Sequence, residues 1–160
     1  MDLAIQFSET GHLCLSTLHA NNANQALDRI INFFPEDKRN QLLMDLGLNL
    51  KAIVSQRLIP MKSGKGRVPA VEVMINSPLI ADLIMEGKIP EIKDLMGKST
   101  EAGMQTFDQS LFSLYEADLI SYDDALRNAD SVNDLRLQIK LHSQLGERDV
   151  NAGIQNLGIV

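Results

Sequence analysis

The sequence predicts an α/β fold: mixed helices and strands over residues 1–76, short helices over residues 77–145, and a loose tail over residues 146–160. Three observations predict it. Apolar side chains run together over residues 13–18 and alternate over residues 68–75, the two patterns of strands. Elsewhere they recur at i, i+3, i+4 and i+7, the spacing of one helix face. After residue 100, starts of the capping-box kind recur at Thr106, Ser121 and Ser131.

Residues 2–7 read as the end of a helix that Gly11 breaks, and residues 13–18 as a buried strand. Leu27, Ile30, Ile31 and Phe34 form the apolar face of the next helix, with Asn22 or Asn24 to cap its start and Pro35 to stop it. Glu36 and Asp37 suit the first turn of a further helix, whose stripe holds Leu42, Leu43, Leu46, Leu50, Ile53 and Val54. Residues 56–59 and 68–75 read as paired strands around the tip Lys62-Ser63-Gly64-Lys65-Gly66. In the second strand Val71, Val73 and Ile75 alternate with Ala70, Glu72 and Met74. Ser77-Pro78 and Ile89-Pro90 each open a helix, proline being tolerated in the first turn. Thr106 opens an apolar face of Phe107, Leu111, Leu114 and Tyr115, and Ser121 and Ser131 open two more helices. Met74, Met85, Met96 and Met104 read as core filling.

Of 160 residues, 44% are hydrophobic and 22% charged, which suits a globular domain and excludes a disordered or collagen-like chain. No apolar run approaches the roughly 18–20 residues that span a bilayer, and the first residues lack the basic and apolar stretches of a secretion signal. Cys14 is the single cysteine, so an intrachain disulfide framework and a cysteine-rich zinc module are excluded and a reducing, cytoplasmic setting is expected. The net charge of −6 argues against nucleic-acid binding through a basic face. Residues 101–160 hold ten acids and four bases, a solvated helical surface or, in the sharper reading, a docking surface for a partner protein.

The densest polar cluster is Ser8-Glu9-Thr10-Gly11-His12, followed past the short strand by Thr17-Leu18-His19-Ala20-Asn21-Asn22. Ligands of α/β sheets gather at strand ends, so His19 is placed to donate a hydrogen bond to a phosphate oxygen or to orient a water. The plainer alternative is that His12 and His19 only close the ends of the strand. No metal site is expected from His12, Cys14 and His19. In an extended strand His19 points away from the other two, and no CxxC or HExxH accompanies them. A phosphate-cradling G-x-x-x-x-G-K-S/T loop is absent: Gly97-Lys98-Ser99 has Ile92 where the upstream glycine belongs, and it follows a helix instead of a strand.

Glu9-Thr10-Gly11-His12-Leu13 with Thr17-Leu18-His19-Ala20-Asn21 resembles the His box of the type II/IV secretion ATPases, and within them that of the type IV pilus retraction motors. The resemblance continues through Asn24-Gln25-Ala26-Leu27-Asp28-Arg29-Ile30-Ile31, Phe34-Pro35-Glu36, Ser55-Gln56-Arg57-Leu58 and Gly103-Met104-Gln105-Thr106-Phe107-Asp108. It covers residues 2–150, and residues 128–137 are similar to the PilU branch of these motors. Family members carry a P-loop, an acidic Asp box and a Walker B glutamate ahead of the His box, none of which this sequence holds. The Ala-Ile-Arg of the PilT branch is matched here by Leu79-Ile80-Ala81 ahead of Glu86, without the arginine, and the zinc-binding cysteines of some secretion ATPases are absent.

The resemblance implies the C-terminal portion of a RecA-like P-loop NTPase domain followed by a small helical region, beginning at an internal position of a longer parent. That parent is expected to be a hexameric cytoplasmic motor at the cytoplasmic face of the inner membrane, powering or assisting pilus retraction and twitching motility. ATP and Mg²⁺ are the cofactors implied for the parent, and none for this chain alone, which is expected to be inactive by itself. The implied partners are further copies of the chain and pilus-machinery proteins, a paralogous retraction ATPase being one candidate. Nucleic acid is not among them, and membrane contact is peripheral, through partners. The implied site residues are His12, His19 and Glu9, with Glu9 beside His12 to orient the ring, and His19, Arg29 and Arg57 for nucleotide or subunit contacts. For Arg29 an ion pair with a surface acid is the plain alternative. The opposing reading is a stand-alone α/β-helical module that binds a partner protein and has no ATPase activity.

Overall fold

The computed structural model describes residues 2–100 and 103–145, so the tail expected over residues 146–160 lies outside the described residues. Its helices are α1 (Asp2–Glu9), α2 (Ala23–Asn32), α3 (Arg39–Asn49), α4 (Pro78–Met85), α5 (Ile92–Lys98), α6 (Phe107–Glu116), α7 (Tyr122–Asn128) and α8 (Val132–His142). Between α3 and α4 lies a two-stranded hairpin of β1 (Ala52–Pro60) and β2 (Arg67–Ile75). The chain divides into two compact units, Met1–Gln56 with Glu72–Thr106, and Arg57–Val71 with Phe107–Val160. This division cuts across the chain-order boundary expected at residue 76, because α4 and α5 belong with α1, α2 and α3.

The helix starts follow local chemistry. Asn22 Oδ1 accepts the Gln25 N–H at 2.9 Å, Ser77 Oγ accepts that of Ile80 at 3.4 Å, and Ser121 Oγ that of Asp124 at 3.1 Å. Gly11, at φ +86°, takes the left-handed conformation that ends α1.

In the first unit, Leu27 and Ile30 of α2, Leu42, Leu43 and Leu46 of α3, and Ile80 and Ile84 of α4 bury together with Met74, Ile92 and Met96. The stripe expected on α3 stops short of its predicted length. The helix ends at Asn49, and Ile53 and Val54 lie on β1. The cause is the Asn76 amide, which donates to the carbonyl oxygens of Gly47 at 2.8 Å and Leu50 at 2.9 Å and so satisfies the helix's open end. Ile53 and Val54, being β-branched, then extend into the sheet. Gly47 also permits close packing of α3 on α4, since a Cβ there would stand 2.5 Å from Met85 Cγ and 3.2 Å from the Ala81 carbonyl oxygen.

In the second unit, Ile59 and Ala70 of the hairpin bury with Phe107, Leu111 and Tyr115 of α6, Ala125 of α7, and Leu135 and Ile139 of α8. The turn between the strands is built as the glycines require, with Gly64 at φ +73° and Gly66 at φ +84°. The outer edge of β2 is also satisfied. The Val73 N–H bonds to the Gln105 carbonyl at 2.8 Å in the first unit, and the Val71 N–H to Ser110 Oγ at 3.0 Å in the second. Pro69 has the same parity along the strand, so its missing N–H falls on this edge and removes no bond of the ladder.

The buried strand expected over residues 13–18 is not formed. The segment has no regular secondary structure and no ladder partner among the described residues, and Leu13 and Leu15 are 80% and 89% exposed. An apolar run becomes a buried strand only when a neighbouring strand takes its backbone groups and both faces are covered. The sheet among the described residues is the β1–β2 hairpin, which pairs with itself. An extended apolar segment with unpaired amides is a template for strand association. The chain should therefore self-associate as its concentration rises. Light scattering should show a growing mass that the double variant Leu13→Asp, Leu15→Lys abolishes; a monodisperse monomer at every concentration would contradict this.

Candidate functional site

The end of α1, the extended segment and the start of α2 carry the two histidines singled out by sequence. The Thr10 hydroxyl donates its one proton to the Phe7 carbonyl at 2.9 Å. Its 3.0 Å contact with His12 Nδ1 is then made by the ring N–H donating to Thr10 Oγ1. That tautomer leaves His12 Nε2 facing solvent with its lone pair free. Phe7 meets the same ring edge-on, with centroids 5.8 Å apart. Thr10 and Phe7, rather than the exposed Glu9, are thus what touches the His12 ring.

His19 is exposed, and its ring makes no hydrogen bond to a described residue, but the backbone around it is held. The Ala20 N–H bonds to the Leu18 carbonyl at 3.0 Å. The Asn21 N–H bonds to Gln25 Oε1 at 3.2 Å, while Gln25 N–H bonds back to Asn22 Oδ1 at 2.9 Å, a reciprocal cap. The first amide of α2, Ala23 N–H, goes to Glu72 Oε1 at 2.7 Å, and Glu72 is only 2% exposed. Sequence reasoning missed Glu72, although a signal was there: a lone acid stands in the row Ala70, Glu72, Met74, and that row is the buried one.

Arg29 lies exposed in the last turn of α2, where a cation suits the negative end of the helix, and it forms no ion pair among the described residues. Arg57 belongs to the second unit, and its guanidinium is engaged there. Nη1 donates to the Asn128 carbonyl at 2.6 Å, Nη2 pairs with Asp130 Oδ1 at 2.6 Å, and the group stacks 3.9 Å from the centroid of the Phe107 ring. The Asp108 carboxylate holds the same turn by accepting the N–H groups of Asp130 at 2.8 Å and Ser131 at 3.1 Å. The structure therefore gathers Glu9, His12, His19 and Arg29 in the first unit and Arg57 in the second.

Among the described residues, no three His, Cys, Asp or Glu side chains are grouped to hold a metal ion, and no helix is long and apolar enough to cross a membrane. What the segment from His12 to Arg29 offers is an imidazole at each end of a short irregular stretch and a guanidinium one helix further on. An imidazole N–H and the guanidinium suit anionic oxygens, while the His12 Nε2 lone pair suits a donor.

Comparison with known proteins settles the family. Residues 1–109 match the family described as type II/IV secretion system protein, and the chain belongs to it. It is 58% identical over 159 residues to the type IV pilus ATPase PilU of Pseudomonas aeruginosa, a match covering 99% of this chain and 42% of that protein. It is 38% identical over 127 residues to the retraction ATPase PilT of the same organism, covering 79% of this chain and 37% of that one. The chain thus spans about two fifths of the length of these relatives. Its mixed helix and strand fold is similar to a crystal structure of the pilus retraction motor PilT with bound ADP, at a TM-score of 0.74 and 36% identity, over 83% of this chain and 37% of that one.

The Arg57 contacts separate two roles for that residue. With Arg57 21% and Asp130 10% exposed, Arg57→Ala removes the charged partner at 2.6 Å of a largely buried carboxylate and should cost about 2 kcal/mol or more in urea unfolding. Arg57→Lys should recover only part of this, because a lysine has neither the planar fork nor the stacking surface. An unchanged midpoint for Arg57→Ala would show that the guanidinium is free for a ligand or a neighbouring subunit.

Proposed function

We propose that the chain is the C-terminal part of a hexameric motor ATPase that powers or assists type IV pilus retraction and twitching motility. The observation that carries this reading is the His-box segment: two solvent-exposed imidazoles flank a short irregular stretch, one of them at the foot of α2. The sequence likeness to PilU and PilT over most of the chain supports it.

In this reading ATP with Mg²⁺ brings a phosphoryl group on which charge develops during transfer, and catalysis consists of positioning and charge stabilisation around it. The His19 ring and the Arg29 guanidinium can donate to such an anion, whereas His12 in the tautomer described above offers an acceptor at Nε2. His12 Nε2 and the His19 ring are open to solvent, and neither ring is hydrogen-bonded to a carboxylate among the described residues. His19 directs an N–H to a phosphate oxygen, and His12 and Glu9, at the other end of the segment, complete the His box. Arg29, and Arg57 where its clamp opens, serve nucleotide or subunit contacts. The phosphate cradle and the water-aligning glutamate belong to parts of the motor other than residues 1–160. Its partners are copies of itself and pilus-machinery proteins, a paralogous retraction ATPase among the candidates, at the cytoplasmic face of the inner membrane.

Two measurements test this division of labour. Calorimetry of residues 1–160 with ATP and Mg²⁺ should show no saturable binding below the millimolar range, because the sequence has no glycine-rich phosphate loop; micromolar binding would overturn it. In a motor that contains this chain, His19→Ala should lower ATP turnover at least about tenfold, equivalent to about 1.4 kcal/mol of transition-state stabilisation. Unchanged turnover in a folded motor would leave His19 a residue that only ends the extended segment.

A further inference from the structure

We infer that Glu72 is the positioning residue of the His19 loop: its carboxylate, buried on β2, ties the first amide of α2 and thereby fixes the four residues that carry His19 into the helix. A carboxylate that is 2% exposed is costly to bury unless its charge is answered. At Ala23 it meets an N–H at 2.7 Å and the positive end of the α2 dipole. The bond joins residues 49 apart in sequence, so it fixes the place of the helix start and not merely its shape.

From that anchor the fixity passes outward in short steps. Ala23 begins α2, Asn22 and Gln25 cap each other's neighbourhood at 2.9 Å, and Gln25 Oε1 holds the Asn21 N–H at 3.2 Å. The Ala20 N–H closes on the Leu18 carbonyl at 3.0 Å, leaving His19 inside a turn whose two sides are both tied. The His19 ring has no partner among the described residues, so its direction is set by this backbone alone. A side chain that must meet a reacting group is useful only within a narrow range of positions. Glu72 is the one acid in a row otherwise formed by Ala70 and Met74, where an apolar residue would pack at no electrostatic cost. Serving as the anchor of the loop accounts for its presence there.

The assignment rests on the reading of His19 as a nucleotide-facing group, but its test needs no nucleotide. NMR on the 160-residue chain reads amide exchange at Ala23 and backbone order over residues 19–22 in Glu72→Ala and Glu72→Gln. In Glu72→Ala, exchange at Ala23 should rise about fivefold or more and order over residues 19–22 should fall, while the amides of Ile84 and Met96 keep their protection. Glu72→Gln keeps an oxygen in place to accept from Ala23 and should restore the order of the loop. A uniform loss of protection through the core would make Glu72 a stabilising residue only and overturn the inference, as would an unchanged loop or a failed rescue by Gln. If Glu72→Ala does not fold, Glu72→Asp carries the test, since its shorter side chain withdraws the oxygen and should loosen the same four residues. An unaffected His19→Ala turnover would count against the nucleotide reading and leave this measurement standing.

Discussion

The arrangement depends on polar side chains of one hairpin that reach helix ends. Helices leave their first N–H and last C=O groups without partners, and burying those ends demands that something answer them. Here the answers come from the two strands of the hairpin and the residue that follows it. Glu72 takes the first amide of α2, and Asn76 donates to two carbonyls at the end of α3. In the second unit Arg57, on β1, donates to the carbonyl at the end of α7. The apolar cores supply the driving force for collapse, but they are non-directional. These few bonds tie the start of α2 and the ends of α3 and α7.

That constraint also explains how a largely solvent-facing segment keeps a defined site. Residues 13–17 are exposed, Leu18 is only partly buried, the stretch has no sheet partner among the described residues, and His12 and His19 flank it. His12 is held from the α1 side by Thr10 and Phe7, and His19 from the α2 side by the cap and Glu72. Both imidazoles remain open to solvent because their supports come from backbone and neighbouring side chains. Arg57 presents the opposite case. Its fork and its flat face are both occupied, so its contribution within this chain is to hold the turn before α8.

The parts legible in the sequence were those decided by neighbours a few residues away. The apolar face of Leu27 and Ile30, the caps at Asn22, Ser77 and Ser121, and the glycine-bearing hairpin tip all stand where the local pattern places them. What could not be read depends on partners distant in the chain. The helical spacing of Leu46 and Leu50 runs on through Ile53 and Val54, but Asn76, 26 residues beyond Leu50, holds the helix end and Ile53 and Val54 pair in the hairpin. Residues 13–18 have the composition of a buried strand, yet composition carries no information about whether a neighbouring strand is there to pair with. Arg57 reads as a free cation until Asp130, 73 residues away, is placed beside it. The family likeness pointed to the histidines and ran through Thr10 without giving it a role, and it did not point to Glu72.

Native-state hydrogen exchange of the unmodified chain tests the central claim, that hairpin bonds and not the extended segment carry the order of the fold. Amides that bond along the hairpin's outer edge, at Val71, Val73 and Gln105, should exchange with the slowest residues, at the free energy of global unfolding. Amides over residues 13–18 should exchange at rates close to those of an unstructured peptide at low concentration. Strong protection of residues 13–18 in the monomer, or rapid exchange at Val73 and Gln105, would contradict the account.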